Sequence, residues 1–358
     1  MISYLSENNL TPQHISFVKK VLLAWYHDYG RHLPWRTRGT CHASPYQVWI
    51  SEIMLQQTTV VTVIPYFNRF IQKWPTLVDF AHADLNDILH MWQGLGYYSR
   101  ARNLYKGAQY ILDHFDGNFP NTYPELLKVP GIGPYTAAAI ASIAFYQPII
   151  PVDGNVVRVF SRLMGLSDSI DALKKNLSHT ITPFFDATIS GDFTQALMDL
   201  GATICTPRKP KCVQCPMQQV CYAYKTNQVD LLPTQKLRKE LPSRQGEVWL
   251  IVNNQGQLVI RQRPDKGLLA NLWEAPSFGW DNADIMVPKD LETDSSINIG
   301  TVKHTFTHFK LTLTIKLTNV RNDFNLSPDW QWTSIHDLNN YALSTLAKKV
   351  IKHYVHQM

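Results

Sequence analysis

The hydrophobic period of this chain changes once, and that change sets what it can fold into. From residue 14 to about residue 225 apolar side chains recur at helical spacing, as in HISFVKKVLLAWYHDY and YQVWISEIMLQQTTVVTVIPYFNRFIQKW, with Pro and Gly turns between segments. Beyond residue 246 the period is two. EVWLIVNNQGQLVIRQR reads as a hairpin about an Asn/Gly turn, and FKLTLTIKL places Phe309, Leu311, Leu313, Ile315 and Leu317 on one face. Between the two regimes, TNQVDLLPTQKLRKELPSRQ carries prolines and basic residues with little apolar periodicity, the composition of a linker. ALSTLAKKVIKHYVHQ closes the chain as a helix. The reading is multi-domain: an all-α domain over residues 1–225, a linker over 226–245, and a smaller α+β domain over 246–358. A length of 358 residues suits two domains, at roughly 150 residues each.

Hydrophobic residues make up 45% of the chain and charged residues 17%, which excludes a disordered polyelectrolyte. A formal charge of +6 fits a nucleic-acid partner without requiring one. The N-terminal stretch lacks a basic segment followed by an apolar one, and no apolar run reaches the roughly 18 residues that span a bilayer. A soluble, intracellular protein with no membrane partner is expected. Four of the five cysteines, Cys205, Cys212, Cys215 and Cys221, fall in the pattern C-x6-C-x2-C-x5-C. In an intracellular chain such a cluster points to a metal site, either a tetrahedral zinc or an iron–sulfur cluster. Cys41 lies apart in a polar loop and receives no role.

Three further stretches carry chemistry. In KVPGIGPYTAAAI, Gly131 and Gly133 permit positive φ and remove Cβ atoms that would keep another backbone away, while Pro134 suits a first helical turn. Free N–H groups beside a positive helix end then offer a place for a phosphate oxygen, or the turn is a plain helix–helix connection. In IIPVDGNVVRVF, Asp153 precedes Gly154 and a helix, the position of an N-cap, and Asn155 is a turn residue. In WISEIMLQQTT, a helical Glu52 has Val48, Trp49 and Leu55 as neighbours. It is either a helix-edge carboxylate that reaches water or a desolvated acid with raised proton affinity.

Taken in order, SEIMLQQT, QGLGYYSRARNL, VPGIGPYTA, VDGNV and the four-cysteine segment resemble the adenine DNA glycosylases of the MutY family, within the helix-hairpin-helix superfamily that includes endonuclease III. The resemblance runs from Leu33 to the region of His304. It implies removal of adenine mispaired with 8-oxoguanine or guanine in duplex DNA by a monomeric enzyme. A bacterial cytoplasm, at the nucleoid when acting on DNA, is the expected location. Breaking an N-glycosidic bond through an oxocarbenium-like sugar wants one carboxyl still protonated at neutral pH and one ionised near the sugar. The resemblance assigns the first role to Glu52, which protonates N7 of adenine. It assigns the second to Asp153, acting directly or through a transient covalent link, at a helix start that favours negative charge. Where strand-cleaving relatives carry a Schiff-base lysine, this chain has Tyr135. That implies a phenol that orients the site, with Asn155 steadying it, and base hydrolysis without an efficient lyase step. An endonuclease III-like enzyme with lyase activity is the competing reading, and Tyr135 and the second domain weigh against it.

Adenine must leave the stack before reaction. The resemblance makes Tyr97 the aromatic wedge, in preference to Tyr98, and places Leu55 and Gln57 at the same gap. It selects [4Fe–4S] for the four cysteines, with a structural role, and the loop residues Arg208, Lys209 and Lys211 would then grip phosphates. The second domain resembles a Nudix fold around IRQRPDKGLLANLWEAP. The following GWDNADIMVPKDL lacks the acidic set that holds Mg²⁺, so no pyrophosphatase activity is expected. Recognition of 8-oxoguanine through a Phe-Ser-His loop is implied, matched here by Phe306, Thr307 and His308. Extending the strand phase back from Phe309 puts Phe306 and His308 on the polar face.

Overall fold

The computed structural model describes residues 10–37, 43–234, 240–281, 296–321, 324 and 326–355. Cys41, and the part of GWDNADIMVPKDL beyond Asp281, lie outside them. The chain divides into two compact units, Met1–Ala81 with Lys106–Arg238, and His82–Tyr105 with Lys239–Met358. Among the described residues no helix is long and apolar enough to cross a membrane.

The helical region runs α1 (Pro12–Tyr29), α2 (Pro45–Leu55), α3 (Val60–Lys73), α4 (Leu77–Ala81), α5 (Leu85–Met91), α6 (Ser99–Phe115), α7 (Tyr123–Leu126), α8 (Pro134–Phe145), α9 (Gly154–Met164), α10 (Ile170–Ile181), α11 (Ser190–Thr203) and α12 (Tyr222–Lys225). Local chemistry starts the helices that matter. Ser44 accepts from Gln47 N–H ahead of Pro45 in α2, and Asp153 accepts from Val156 N–H at the start of α9. The alanine-rich α8 is buried from Thr136 to Ala144 and packs against α2 and α11. Small residues make this possible. A Cβ at Gly191 of α11 would come within 3.2 Å of the Ser142 and Ile143 carbonyls. Ser142 Oγ also bonds with Ser190 and Thr194, satisfying hydroxyls that would otherwise be stranded in the core. A second apolar cluster joins α1, α9, α10 and α11 through Leu22, Phe160, Leu177 and Phe193. Glu52, Tyr135 and Asp153 are thus delivered by α2, α8 and α9, with α11 packed against both α8 and α9.

The second unit is a seven-stranded sheet with a helix. Its strands are β1 (Ser243–Asn253), β2 (Leu258–Gln262), β3 (Trp273–Glu274), β4 (Ser277–Phe278), β5 (Ile297–Thr305), β6 (Lys310–Val320) and β7 (Trp330–Thr333), followed by α13 (Thr345–Val355). The path is β3-β2-β1-β6-β5, with β4 on β1 and β7 on β2. β1 and β6 are parallel, with Val248 opposite Ile315, while β5 and β6 are antiparallel. Alternation decides the faces. Val248, Leu250 and Val252 join Phe309, Leu311, Leu313 and Ile315 under α13, and Trp249 and Ile251 pack on the other side with Val259, Phe278 and Trp330. β1 begins at Ser243, inside the span read as a linker. The stretch His82–Tyr105, read from sequence as part of the helical domain, groups with this unit. It is tied there by Gln93 Nε2 donating to the Tyr341 carbonyl at 2.6 Å and Tyr98 donating to the Leu343 carbonyl at 3.2 Å.

Candidate active site

The turn before α8 is closed by Ile132 N–H donating to the Val129 carbonyl at 3.0 Å, with both side chains buried. Gly131 has φ of 82°, where glycine is favoured. Gly133 differs from the expectation. It is the N-cap of α8 at φ −87° and ψ 177°, extended backbone that any residue adopts. A Cβ built on it would meet nothing within 4 Å, so its missing side chain leaves open space at the helix start. That space suits the approach of a phosphate.

Behind this turn lies a cavity of about 450 Å³ whose walls include Glu52, Leu55, Gln57, Tyr135, Asp153 and Asn155. The residues read from sequence as acid, stabiliser, orienting phenol and gap probes therefore meet in one place. Gln57 is exposed and holds φ of 58°, a left-handed conformation that turns the chain after α2, while Leu55 is half-buried.

Glu52 is 7% exposed, and its helix neighbours Val48 and Trp49 are buried. Burial pushes its carboxyl up to about 7; the Tyr135 hydrogen bond and the Arg36 charge pull it down, and the Asp153 charge pushes it up. The desolvated reading of Glu52 is the one the structure shows. Tyr135 is held well above the ordinary phenol range, by burial first and then by the charges of Glu52 and Asp153, so it remains a hydrogen-bond donor.

Asp153 is bracketed. Its Oδ1 accepts from Val156 N–H and its Oδ2 from Asn155 Nδ2, both at 2.7 Å. Asn155 Oδ1 accepts from Arg158 Nη2 at 2.8 Å, and Arg158 Nε donates to the Cys205 carbonyl at 2.8 Å. Gly201 of α11 makes room for this bracket, since a Cβ there would come within 2.6 Å of Asn155 Cβ.

Arg36 also lines the cavity and went unassigned in the sequence. Asp199, fully buried on α11, accepts from Arg36 Nη1 at 2.8 Å and Nη2 at 2.9 Å, and from Arg31 Nε at 2.7 Å. The pairing holds a cation beside Glu52, whose carboxyl it draws down. The only local signal was an arginine next to a Leu-Pro-Trp turn. Gln195, buried, adds a polar wall from α11.

In the second unit Tyr97 and the triplet Phe306, Thr307 and His308 line a cavity of about 360 Å³. Tyr97 is 47% exposed with φ of 47°, whereas Tyr98 is buried. Tyr97 Oη lies 2.9 Å from Thr307 Oγ1. The extended strand phase is corrected here. Residues 306–308 form the turn between β5 and β6, so the alternation stops before them. Phe306 is half-buried against the core, and Thr307 and His308 are exposed.

The four cysteines line one small cavity of about 20 Å³ together with Arg162. Among the described residues no group of three or more His, Cys, Asp or Glu is arranged to hold a metal ion. The donor set nonetheless fits an iron–sulfur group. Arg162 Nη1 lies 3.5 Å from Cys205 Sγ, where it can offset thiolate charge. Burial pushes the Cys215 thiol up to about 12 and the Cys221 thiol up to about 11, so their ionisation calls for a metal's positive charge. Arg208, Lys209 and Lys211 on the intervening loop are exposed.

Comparison with known families agrees with this arrangement. Residues 50–182 match the HhH-GPD superfamily of base excision DNA repair proteins, residues 205–221 the iron-sulfur binding domain of endonuclease III, and residues 247–353 the NUDIX domain. Fold and site together define a helix-hairpin-helix DNA glycosylase with an iron–sulfur loop and a Nudix-like second domain. The adenine DNA glycosylase of Homo sapiens is 35% identical over 398 residues, covering 93% of this chain and 73% of the human one. That of Buchnera aphidicola subsp. Baizongia pistaciae (strain Bp) is 36% identical over 340 residues, covering 93% and 95%. The solved structure of a thermostable thymine-DNA glycosylase superposes with a TM-score of 0.53 at 28% identity, covering 61% of this chain and 100% of that one. This chain belongs to the adenine DNA glycosylase family: it removes adenine from DNA in base-excision repair and carries an iron–sulfur cluster.

Proposed function

We propose that the enzyme extrudes adenine paired with 8-oxoguanine or guanine and hydrolyses its glycosidic bond, with Glu52 as general acid and Asp153 as the sugar-facing carboxylate. The observation that carries this reading is a cavity of nucleoside size that holds two carboxyls in unlike settings. Glu52, lifted to about 7, retains its proton near neutrality. Asp153 has both oxygens on N–H donors, as suits an acceptor-only carboxylate. Glu52 gives its proton to N7 of adenine, the C1′–N9 bond breaks with its electron pair passing to the base, and Asp153 faces the electron-poor sugar until water adds at C1′ and loses a proton to the Glu52 carboxylate, restoring the acid. Tyr135 donates to Glu52 and cannot form a Schiff base, which supports hydrolysis without an efficient lyase step.

The four cysteines would hold a [4Fe–4S] cluster, which on this reading shapes the basic loop against DNA phosphates. Tyr97 would act as the wedge, with Thr307 and His308 at the base opposite adenine. Single-turnover excision of adenine opposite 8-oxoguanine, guanine and thymine tests the whole. Excision fastest opposite 8-oxoguanine, slower opposite guanine and slowest opposite thymine is expected. Equal rates on all three duplexes would remove the recognition half of the proposal.

A further inference from the structure

We infer that Trp280 is a positioning residue for base discrimination: it seats the turn Phe306-Thr307-His308 so that Thr307 and His308 are presented in one geometry. The inference rests on the reading that this turn distinguishes the base opposite adenine. Phe306 stacks on the Trp280 indole with ring centroids 5.7 Å apart and planes at 10°. Phe309, which closes the turn, lies 6.4 Å from the same indole and 4.8 Å from Phe306. Phe306 N–H donates to the Phe309 carbonyl at 2.9 Å. Both aromatic ends are fastened, and the two residues between them face solvent.

The indole is itself held from several directions. Its Nε1 donates to Ser277 Oγ at 2.9 Å, and Ser277 Oγ donates to Glu274 Oε1 at 3.0 Å. The Arg263 guanidinium lies 5.0 Å from the ring centroid, pairs with Glu274 at 2.8 Å and also pairs with Asp281. Arg244 Nη1 donates to the Trp280 carbonyl at 3.2 Å, while its guanidinium sits 4.3 Å from the Phe309 ring. Opposite, on β1, a Cβ at Gly246 would come within 2.8 Å of Trp280 Cβ, so the seat needs a glycine there. Buried ion pairs add little net stability against apolar replacements. What this one does is fix the plane of a ring. Trp280 is 2% exposed and does not line the cavity of Tyr97 and Thr307, so it acts through Phe306.

The test is the ratio of single-turnover adenine excision opposite 8-oxoguanine to that opposite guanine, measured on the full chain. Trp280→Leu is expected to lower this ratio about fivefold, the scale of one well-placed aromatic pair, and Trp280→Phe to restore most of it. Val350→Ala trims the same core away from the turn and should keep the parental ratio despite a lowered melting temperature. Phe306→Ala separates the two levels of the argument. If it leaves the ratio unchanged, the turn is not the reader, and the inference falls with that reading. If it lowers the ratio while folded Trp280→Leu keeps the parental value, the reading stands and the positioning role is overturned. Should Trp280→Leu fail to fold, Trp280→Met, which fills the space without a ring plane, replaces it, and a parental ratio there overturns the role equally.

Discussion

In the helical unit Glu52 is 7% exposed against buried Val48 and Trp49, whereas in the sheet unit Thr307 and His308 stand in solvent at a hairpin tip. On the proposed reading, the difference follows from the work asked of each site. Proton donation near neutral pH needs a carboxyl whose charged form is penalised, and burial supplies that penalty. Reading a base edge needs donors and acceptors that stay available yet restrained. There the burial falls on anchors such as Phe306 and Trp280, and the presented side chains remain wet. The shared helical fold does not choose the base, since a thymine-DNA glycosylase superposes on the same part of the chain. On the proposed reading, selection belongs to the side chains that line the two cavities.

The sharpest way to break this contrast is Glu52→Gln. Removing a general acid should lower adenine excision by about 10³-fold while duplex affinity stays within about threefold. Excision that survives the change would strip Glu52 of its role. A smaller effect comes from pH. A donor with a pKa of about 7 is protonated below that value and ionised above it, so single-turnover excision should fall roughly tenfold per unit as pH rises past it. In Tyr135→Phe the loss of a hydrogen bond that lowers the Glu52 pKa should move this limb to higher pH. A flat profile between pH 6 and 9 would show that another group supplies the proton. Smallest is Thr307→Val, which keeps the shape and deletes the hydroxyl. It should reduce the preference for 8-oxoguanine over guanine about fivefold with the pH profile unmoved, and a shifted profile would mean that the two sites are not distinct in function.

Much of this was legible in the sequence where the information is local. Helical spacing placed Glu52 among apolar neighbours, an Asp before a helix announced the Asp153 cap, and the alternation in β6 predicted the buried Leu311, Leu313 and Ile315, fading at the half-buried Leu317. What escaped depends on contacts between distant segments. Phe306 was placed by extending a strand that in fact ends at Thr305, because alternation alone does not mark where a hairpin turns. Of the two freedoms read for Gly133, positive φ and a missing Cβ, only the second is used, in the empty space before the helix. Arg36 gains meaning only beside Asp199, 163 positions away in the chain. The Trp280 seat draws on β1, β3, β4 and the residues just after β2 and β4, spread from Arg244 to Asp281, and neither alternation nor helical spacing links residues so placed.

Gly201 does not line the reaction cavity, yet any side chain there must displace Asn155, the residue that braces Asp153. A position outside the cavity wall thus has a direct line to one of its carboxyls. What a larger residue there would disturb is the brace on Asp153 rather than the wall that faces the ligand.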